Sequence, residues 1–344
     1  MSRPRSTIDP TSSTTRGSGG AEPFPIFVGR GRSGTTLFRA IFDSHPDMAI
    51  PPESPFLVSL AYKRRRYESS MGFDKDAFVA DLVTHRRFEL WDQDEEVIRD
   101  CMAETAPQDY AQAVRAIYGL YARTRGKQRY ADKSPRTTGS IALLAHLFPE
   151  ARFIHIVRDG RDVALSHLEV DFGSDDIVDA ALDWRREVGA CRRSGQRLGA
   201  TRYREIRYED LIDDPERCVR GVCDFIHLEF DGAMLRYFER ADDLVGTTPT
   251  PSAHRGLFLP PTKGLRDWRR QMSEEDAATF EILAGSLLGS LGYERTTESV
   301  TVRARIDARQ AQARRELPRR VRRLKNHLKP RRLLRRAGVG TRSL

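Results

Sequence analysis

The sequence is poor in the features that build disulfide-stapled, zinc-bound or membrane-spanning proteins. It has only four cysteines in 344 residues, Cys101, Cys191, Cys218 and Cys223, and no C-x-x-C or H-x-x-x-H grouping. Cysteines this sparse argue against a disulfide framework and a zinc site. No apolar run reaches the roughly 18 residues of a membrane span, and the N-terminus lacks the charged-then-apolar pattern of a secretory signal. We therefore expect reduced cysteines and a cytoplasmic location.

Acidic residues are scarce at one end of the chain, so the positive charge is unevenly placed. The formal net charge is +9, yet residues 301–344 hold 16 Lys and Arg against Asp307 and Glu316. That tail carries +14, which leaves −5 for the other 300 residues. With 39% hydrophobic residues, the body has ample material for one large domain or two small ones. Its charge argues against a body that binds nucleic acid and moves any polyanionic partner to the tail.

Both ends of the chain differ in composition from the middle. Residues 1–22 are rich in Ser, Thr, Gly and Pro, which predicts a disordered leader. In the basic C-terminal tail, residues 299–344, Pro318 could open a helix with an apolar stripe from Val321 to Leu328. Such a helix suits an anionic membrane surface, and a solubilising disordered tail is the alternative. We expect no nucleic acid partner, because no aromatic residues lie among the arginines.

A strand, a glycine-rich turn and a helix follow one another near the N-terminus. Residues 25–28 are an apolar run of strand length, residues 29–34 read Gly-Arg-Gly-Arg-Ser-Gly, and an apolar helical stripe follows. Backbone N–H groups in such a turn, together with the helix N-terminus, form an anion site. The outer glycines have P-loop spacing, but Thr35 stands where an NTPase needs lysine. The cation is instead Arg32, which indicates a phosphate site that does not handle Mg-NTP in the usual way.

The same turn leaves two other interpretations open. Gly29, Gly31 and Gly34 also spell the dinucleotide fingerprint G-x-G-x-x-G, and Glu53 lies about 20 residues further on. In a dinucleotide fold that acidic residue ends a second strand of real length. Here it follows residues 48–50 and two prolines, which make a poor strand. An ordinary glycine-rich turn without a ligand is the other interpretation.

The rest of the body alternates strand and helix patterns, which predicts an α/β fold. Further strands are expected near residues 129–133, 152–157 and 203–208, each followed by a helix. The helix after the last strand should run from residue 209 to about Ile226, and Ser273 should cap a later helix. Such alternation implies a P-loop-like central parallel sheet flanked by helices. Residues 56–126 have only helical patterns, near 56–66, 74–90, 93–104 and 107–125, with no strand between them. We expect one domain over residues 23–298, with residues 56–126 as a helical insertion after the first βα unit.

Polar loops follow each predicted strand of the sheet. These loops are Gly29–Thr36, Asp132–Arg136, Arg158–Ser166 and the start of the helix at Tyr208. Ligands bind beyond the carboxyl ends of parallel strands, so the loops should meet in one crevice. The first and third loops supply two separate anion sites, and a guanidinium suits phosphate oxygens. The pattern favours a nucleotide with phosphates at both ends of its ribose.

Two of these loops resemble the nucleotide motifs of a known family. Arg-Ser-Gly-Thr-Thr-Leu at residues 32–37 and Val-Arg-Asp-Gly-Arg-Asp-Val-Ala-Leu-Ser at residues 157–166 look like the two motifs of the sulfotransferases. That family takes its sulfuryl group from 3′-phosphoadenosine 5′-phosphosulfate (PAPS). The resemblance covers roughly residues 24–295. It is closest to the bacterial and tyrosylprotein-type branch, where His-Pro and then Glu follow the first motif, as His45, Pro46 and Glu53 do here.

The resemblance implies a role for each residue that matches a motif. The 5′-phosphosulfate would be held by Arg32, Ser33, Gly34, Thr35 and Thr36. The 3′-phosphate would be held by Arg158 and Ser166, with Tyr208 close to the nucleotide. Glu53 matches the catalytic base of the tyrosylprotein branch, and Lys133 matches the lysine that stabilises the sulfuryl group and the leaving phosphate.

One late motif matches the family only in part. Lys263 resembles a phosphate-binding lysine of the family, but Thr262 replaces the preceding arginine and Arg266 replaces a glycine. These departures weaken the assignment of Lys263.

Each member of the catalytic pair also has an alternative without a catalytic role. Glu53 could cap a turn, and Lys133 could form a surface ion pair.

The expected activity is in-line transfer of a sulfuryl group from PAPS to a hydroxyl or amine, with no metal required. Arg32 and Lys133 would stabilise the charge that develops on the sulfuryl oxygens and departing phosphate, and Glu53 would accept the acceptor's proton. The acceptor is expected to be a small molecule, a glycan or a lipid; a peptidyl tyrosine is less expected without a secretory signal. A P-loop nucleotide-dependent kinase and a non-enzymatic membrane- or polyanion-binding module are the alternatives.

Overall fold

A small parallel sheet forms the centre of the molecule. The computed structural model describes residues 22–170, 174–241, 257–261 and 267–296, with five isolated positions after residue 305. The strands are β1 (Phe24–Val28), β2 (Met48–Ala49), β3 (Glu68–Ser69), β4 (Gly72–Phe73), β5 (Arg129–Tyr130), β6 (Asp132–Lys133), β7 (Ala151–Val157) and β8 (Tyr203–Arg207). The central sheet has the order β6-β1-β7-β8 with all neighbours parallel. The predicted α/β fold with a central parallel sheet is confirmed.

Helices cover both faces of the sheet. In the described ranges they are α1 (Thr35–Asp43), α2 (Phe56–Lys63), α3 (Lys75–Val83), α4 (Glu95–Thr105), α5 (Tyr110–Arg123), α6 (Ile141–Leu147), α7 (Gly160–Leu168), α8 (Ile177–Gln196), α9 (Tyr208–Asp213), α10 (Pro215–Ile226), α11 (Trp268–Gln271) and α12 (Glu274–Ser290). Short 3-10 segments occupy Arg64–Arg66, Phe88–Trp91, Pro135–Ser140 and Gly232–Arg240. No helix of the described part combines the length and apolar content needed to cross a membrane.

The residues of β1 alternate between two hydrophobic cores. Phe24, Ile26 and Val28 pack with α2, α5 and their neighbours, whereas Phe27 points to the opposite face and packs with Phe38 and other side chains of α1. All of these side chains are buried. Burying each one stabilises the fold by about 1.5–3 kcal/mol. Because both faces are occupied by apolar contacts, polar chemistry is confined to the ends of the strands.

The prediction that residues 56–126 contain no strand is wrong. β3 and β4 pair antiparallel as a short hairpin. Gly72 supplies the turn with a φ of +112°, and the hydroxyl of Ser69 accepts a hydrogen bond from the N–H of Met71 at 3.1 Å. The predicted helix over 74–90 also ends early, at Val83, and Arg87 takes a φ of +72° before the next segment.

Two helix ends differ from the sequence expectation for local reasons. The helix expected from residue 209 to Ile226 is broken into α9 and α10 at Asp214, whose side chain accepts from the N–H of Arg217 at 3.1 Å, just before a proline. α5 begins at Tyr110 under the Asp109 cap rather than at the preceding proline. The predicted capping of α12 by Ser273 is present.

A third hydrophobic core joins α12 to β7, α7 and α8. Beside it, the guanidinium of Arg161 is fully buried and forms ion pairs with Asp159 at 2.7 Å and with Glu281 of α12 at 2.6 Å. It also stacks on Trp268 at 3.6 Å from the ring centre. α12 is therefore tied to the turn that follows β7. The predicted leader and basic tail lie outside the described residues, apart from Glu22 and the isolated positions.

Candidate active site

Two glycines allow the loop between β1 and α1 to lie close to its neighbours. A Cβ atom at Gly29 would be 2.8 Å from the carbonyl oxygen of Ile156, and one at Gly34 would be 2.4 Å from the ring of Tyr208. Gly34 also has a φ of +87°, a conformation that glycine adopts without steric cost. Gly31, in contrast, has open space around it. The loop is therefore pressed against β7 and the start of α9.

The polar groups of this loop have the character of an anion site. The hydroxyl of Ser33 is buried and has no hydrogen-bond partner among the described residues. α1 starts at Thr35 with no side-chain cap and no acidic residue in its first turn. Uncapped N–H groups at a helix start favour negative charge. An unpartnered hydroxyl and an uncapped helix start therefore lie together in the loop for which a phosphate site is predicted.

Arg32 connects this loop to α7. Its Nε donates to the Ser166 hydroxyl at 2.7 Å, and its φ is +71°. His167, the next residue of α7, donates from Nε2 to the carbonyl of Gly31 at 3.2 Å. Burial, followed by the charges of Arg30 and Arg32, lowers the pKa of His167 to about 4, so its ring is neutral at pH 7. The two predicted nucleotide motifs are thus in direct contact.

Arg158 lies directly after β7, as predicted, and stacks on Tyr208. Its guanidinium carbon is 4.5 Å from the ring centre. Within the described part of the chain its Nε is buried without a hydrogen-bond partner, and its ion pair with Asp162 is long, at 3.8 Å. Asp162 also accepts a hydrogen bond from the backbone N–H of Trp268 at 2.8 Å. Arg158 therefore retains donor capacity beside an aromatic ring.

Glu53 lies between two cations. Lys133 Nζ is 3.1 Å from one carboxylate oxygen, and Arg87 forms an ion pair with the other. Burial raises the pKa of Glu53, but the charges of Lys133 and Arg87 outweigh it, so the pKa lies below its usual value. Glu53 is therefore ionised at neutral pH. The structure brings the predicted pair of Glu53 and Lys133 together and adds Arg87.

A buried polar cluster holds this pair in position. Asp132 accepts hydrogen bonds from the hydroxyls of Tyr118 at 2.8 Å and Ser134 at 3.2 Å. The Ser134 hydroxyl in turn accepts from the N–H of Ser54 at 2.7 Å. Burial raises the pKa of Asp132 to about 6. Because Ser54 and Ser134 directly follow the two members of the ion pair, the cluster joins the segments that carry them.

The order of the strands argues against the dinucleotide interpretation. In that fold the acidic residue ends the strand that lies beside the first strand. Here the neighbours of β1 are β6 and β7, while β2, which precedes Glu53, pairs with β5 in a separate two-stranded sheet. Glu53 therefore does not occupy the ribose-binding position of a dinucleotide fold.

Comparison with known proteins decides the family. A family model described as "Sulfotransferase family" matches residues 25–232, which is more than half of the chain. The chain belongs to the sulfotransferase family. A solved sulfotransferase domain from the Synechococcus PCC 7002 olefin synthase is 25% identical with a TM-score of 0.56, over 79% of this chain and 95% of that one. The resemblance predicted from the two loop motifs is confirmed.

Curated relatives of this sulfotransferase include enzymes named for protein tyrosine. Protein-tyrosine sulfotransferase 2 of Gallus gallus is 26% identical over 62% of this chain and 54% of its own length. A putative protein-tyrosine sulfotransferase of Caenorhabditis briggsae is 26% identical over 78% of this chain and 89% of its own length. The chain thus spans about half of the chicken relative. Membership of this family does not favour the kinase alternative.

Some candidate site residues have little or no signal in the sequence, and one lies outside the described residues. Arg87 lies 34 positions from Glu53 in a segment predicted to be helical, so no local pattern indicated it. His167 directly follows Ser166, and this position beside a motif residue was the sequence feature that could have indicated it. Lys263 lies outside the described residues, and so do Thr262 and Arg266, the two neighbours that differ from the family motif. The described residues contain no group of three or more His, Cys, Asp or Glu side chains arranged to hold a metal ion.

Proposed function

We propose that this sulfotransferase moves a sulfuryl group from PAPS to a hydroxyl or amine acceptor, with Glu53 as general base. One observation carries the proposal. The contact of Arg32 with Ser166, at 2.7 Å, joins the two loops that we propose to bind the anionic groups, at the same edge of the sheet as the ion pair between Lys133 and Glu53. A donor with two anionic ends and an ionised base fit such an edge.

Unsatisfied polar atoms support the binding of the donor. Buried polar groups normally have hydrogen-bond partners, yet the Ser33 hydroxyl and Arg158 Nε have none among the described residues. Ser33, Gly34, Thr35 and Thr36 would hold the 5′ side with Arg32, and Arg158 and Ser166 would hold the 3′-phosphate beside Tyr208. Bound PAPS supplies the sulfuryl group. The role of Lys263 stays a prediction.

The catalytic roles follow from charge and burial. Lys133 is nearly fully buried, so its ammonium acts in a medium where electrostatic stabilisation is strong. Together with Arg32 it would stabilise the negative charge that develops during in-line transfer. Glu53, held ionised by its neighbours, would take the proton of the acceptor. General base catalysis of this kind contributes roughly 10²–10⁴ in rate.

The acceptor class and the surroundings of the enzyme belong to the same proposal. We propose a small-molecule, glycan or lipid acceptor, and a basic tail that contacts an anionic membrane surface. The cytoplasmic location stays a prediction. Mass spectrometry of cell extract incubated with the enzyme and isotope-labelled PAPS would identify acceptors by the gain of one SO₃.

The decisive variant is Glu53→Gln, which keeps the shape of the side chain but cannot accept the proton. We expect it to bind 3′,5′-bisphosphoadenosine as the wild type does in isothermal titration calorimetry. We expect its turnover with any acceptor found in the extract to fall by roughly 10²–10⁴.

The matched control is Glu89→Gln, an exposed carboxylate just after Arg87, which should leave turnover unchanged. A Glu53→Gln enzyme with wild-type turnover would remove Glu53 from the role of base. A wild-type protein that produces no binding heat with 3′,5′-bisphosphoadenosine would overturn the proposal as a whole.

A further inference from the structure

The ion pair of Arg87 with Glu53 blocks the open side of the proposed base. Lys133 is only 3% exposed and approaches one carboxylate oxygen from the interior, whereas Arg87 is 25% exposed and occupies the other oxygen. Glu53 itself is 21% exposed. An acceptor hydroxyl that reaches Glu53 from solvent must therefore come in beside the guanidinium or take its place.

The backbone that carries Arg87 is anchored and cannot withdraw easily. Arg87 has a φ of +72° and is followed by Phe88 and Trp91, which are buried and pack against Phe56 with ring centres 5.6 and 5.1 Å away. Phe56 begins α2, three residues after Glu53. The base and the guanidinium thus share one aromatic anchor, so Arg87 stays near Glu53 when the acceptor enters.

An acceptor that displaces Arg87 leaves its charge without a counter-ion. Among the described residues, Glu53 is the only hydrogen-bond or ion-pair partner of the Arg87 guanidinium. The charges of Lys133 and Arg39 also act on the same carboxylate, so the surroundings are strongly positive. A partly buried guanidinium that loses its carboxylate is destabilised unless another anion replaces it. A carboxylate on the acceptor would replace it, since a guanidinium and a carboxylate can pair through two parallel hydrogen bonds.

We propose that Arg87 is a specificity-determining residue that selects acceptors carrying a carboxylate close to the hydroxyl, that is, small hydroxy acids. The inference rests on the proposed function, because it assumes that Glu53 receives the acceptor's proton. The acceptor carboxylate pairs with Arg87 while its hydroxyl reaches the oxygen that Arg87 vacates. A neutral acceptor would have to leave the guanidinium unpaired.

The test compares acids with their own methyl esters. 4-Hydroxyphenylacetate and 3-hydroxybutyrate, each beside its methyl ester, are offered to the full-length enzyme with saturating labelled PAPS, and kcat/KM is measured for each. For whichever hydroxy acid is the better acceptor, we expect the wild-type kcat/KM to be at least about tenfold higher than for its methyl ester. The loss of one hydrogen bond to a charged group predicts a difference of this size. In Arg87→Gln the preference should fall to about onefold through loss of activity with the acid.

Arg86→Gln is the matched control, because Arg86 is the exposed neighbour of Arg87 on the same turn. It should keep the wild-type preference, and Arg87→Lys should keep part of it. Equal use of acid and ester by the wild type, use of neither member of either pair, or an unchanged preference in Arg87→Gln would overturn the proposal.

The failure of this inference can be told apart from failure of the proposed function. If the cell-extract experiment finds only neutral molecules gaining SO₃, selection by Arg87 is wrong and sulfuryl transfer stands. If the wild type neither binds 3′,5′-bisphosphoadenosine nor labels any molecule, the function itself is wrong and the inference falls with it.

Discussion

Gly34 is the most tightly packed glycine of the loop between β1 and α1. Its φ is +87°, and a Cβ atom at this position would lie only 2.4 Å from the Tyr208 ring, so no larger side chain fits without movement. Tyr208 also carries the stacked guanidinium of Arg158. A change at Gly34 therefore reaches both proposed phosphate sites.

We predict that Gly34→Ala weakens the binding of 3′,5′-bisphosphoadenosine by tenfold or more. Alanine at positive φ costs about 1–2 kcal/mol, and a tenfold change in affinity corresponds to about 1.4 kcal/mol. The displaced Tyr208 ring should add to this loss. Isothermal titration calorimetry measures the affinity.

Gly31→Ala is the control in the same loop, because a Cβ there meets nothing within 4 Å. It should bind the nucleotide within about twofold of wild type, a difference of roughly 0.4 kcal/mol. Equal affinities of the two variants would contradict the steric argument.

Individual site residues were predictable where they follow a strand. Lys133 and Arg158 each come at or directly after the end of a strand of the parallel sheet, so the alternation of patterns was enough to place them at one edge. Arg87 was not predictable, because its position depends on where α3 ends. It also depends on a left-handed backbone conformation at Arg87 itself, where the sequence has neither the glycine nor the asparagine that usually adopts it. Sequence patterns locate strand ends better than they locate loops inside a helical block.

At the scale of elements, α7 is fastened to the nucleotide loop by two neighbouring side chains. Ser166 receives Arg32, and His167 donates to the Gly31 carbonyl. The second bond requires a proton on Nε2, which the neutral ring provides in one of its two tautomers. Burial and the adjacent arginines accordingly keep the pKa of His167 at about 4, against an ordinary value of 6.5.

This lowered pKa predicts that the fold loses stability as pH falls from about 6.5 toward 4. In that window the unfolded chain takes up a proton on His167 and the folded one does not, so the unfolded state is favoured. Between pH 7 and pH 5 we expect wild type to lose about 1–2 kcal/mol more unfolding free energy than His167→Gln. Urea denaturation at the two pH values measures it.

The control is His146→Gln, which alters an exposed histidine of α6. It should show the same loss between pH 7 and pH 5 as the wild type. If His167→Gln loses as much stability as the wild type over that interval, then His167 does not hold the loop in the neutral form.

The elements themselves were predicted unevenly. The units β1–α1 and β7–α7 follow from apolar runs that end in polar turns, and the cap of α12 follows from Ser273. The β3–β4 hairpin has strands of two residues each, too short for any alternation to be visible. The break between α9 and α10 depends on one Asp-Pro step within a continuous helical pattern.

At the scale of the whole molecule, the excess positive charge lies in the C-terminal tail, outside the part of the chain that contains the described site. Without residues 301–344 the formal net charge changes from +9 to −5. All the site contacts described above are made by residues between 29 and 268. We therefore expect the proposed nucleotide site to keep its affinity without the tail.

We predict that deletion of residues 301–344 abolishes binding to phosphatidylserine vesicles and leaves nucleotide affinity within about twofold. Each basic residue near an anionic surface contributes about 1 kcal/mol. Vesicle co-sedimentation and calorimetry with 3′,5′-bisphosphoadenosine measure the two properties.

Vesicles of phosphatidylcholine alone are the control, and neither protein should bind them. Unchanged sedimentation of the shortened chain with phosphatidylserine would assign any membrane contact to the body, whereas loss of nucleotide affinity would show that the tail supports the site.

Arg161 sets a practical limit on how this enzyme can be dissected. The family match stops at residue 232, but one of the carboxylates that neutralise the innermost guanidinium comes from Glu281. A fragment that ends at residue 232 would keep Arg161 but lose Glu281, one of its two carboxylate partners among the described residues. It would also lose the α12 side chains of the third core. The smallest autonomous catalytic unit is therefore longer than the stretch by which its family is recognised, and fusion partners or split halves should be joined beyond α12.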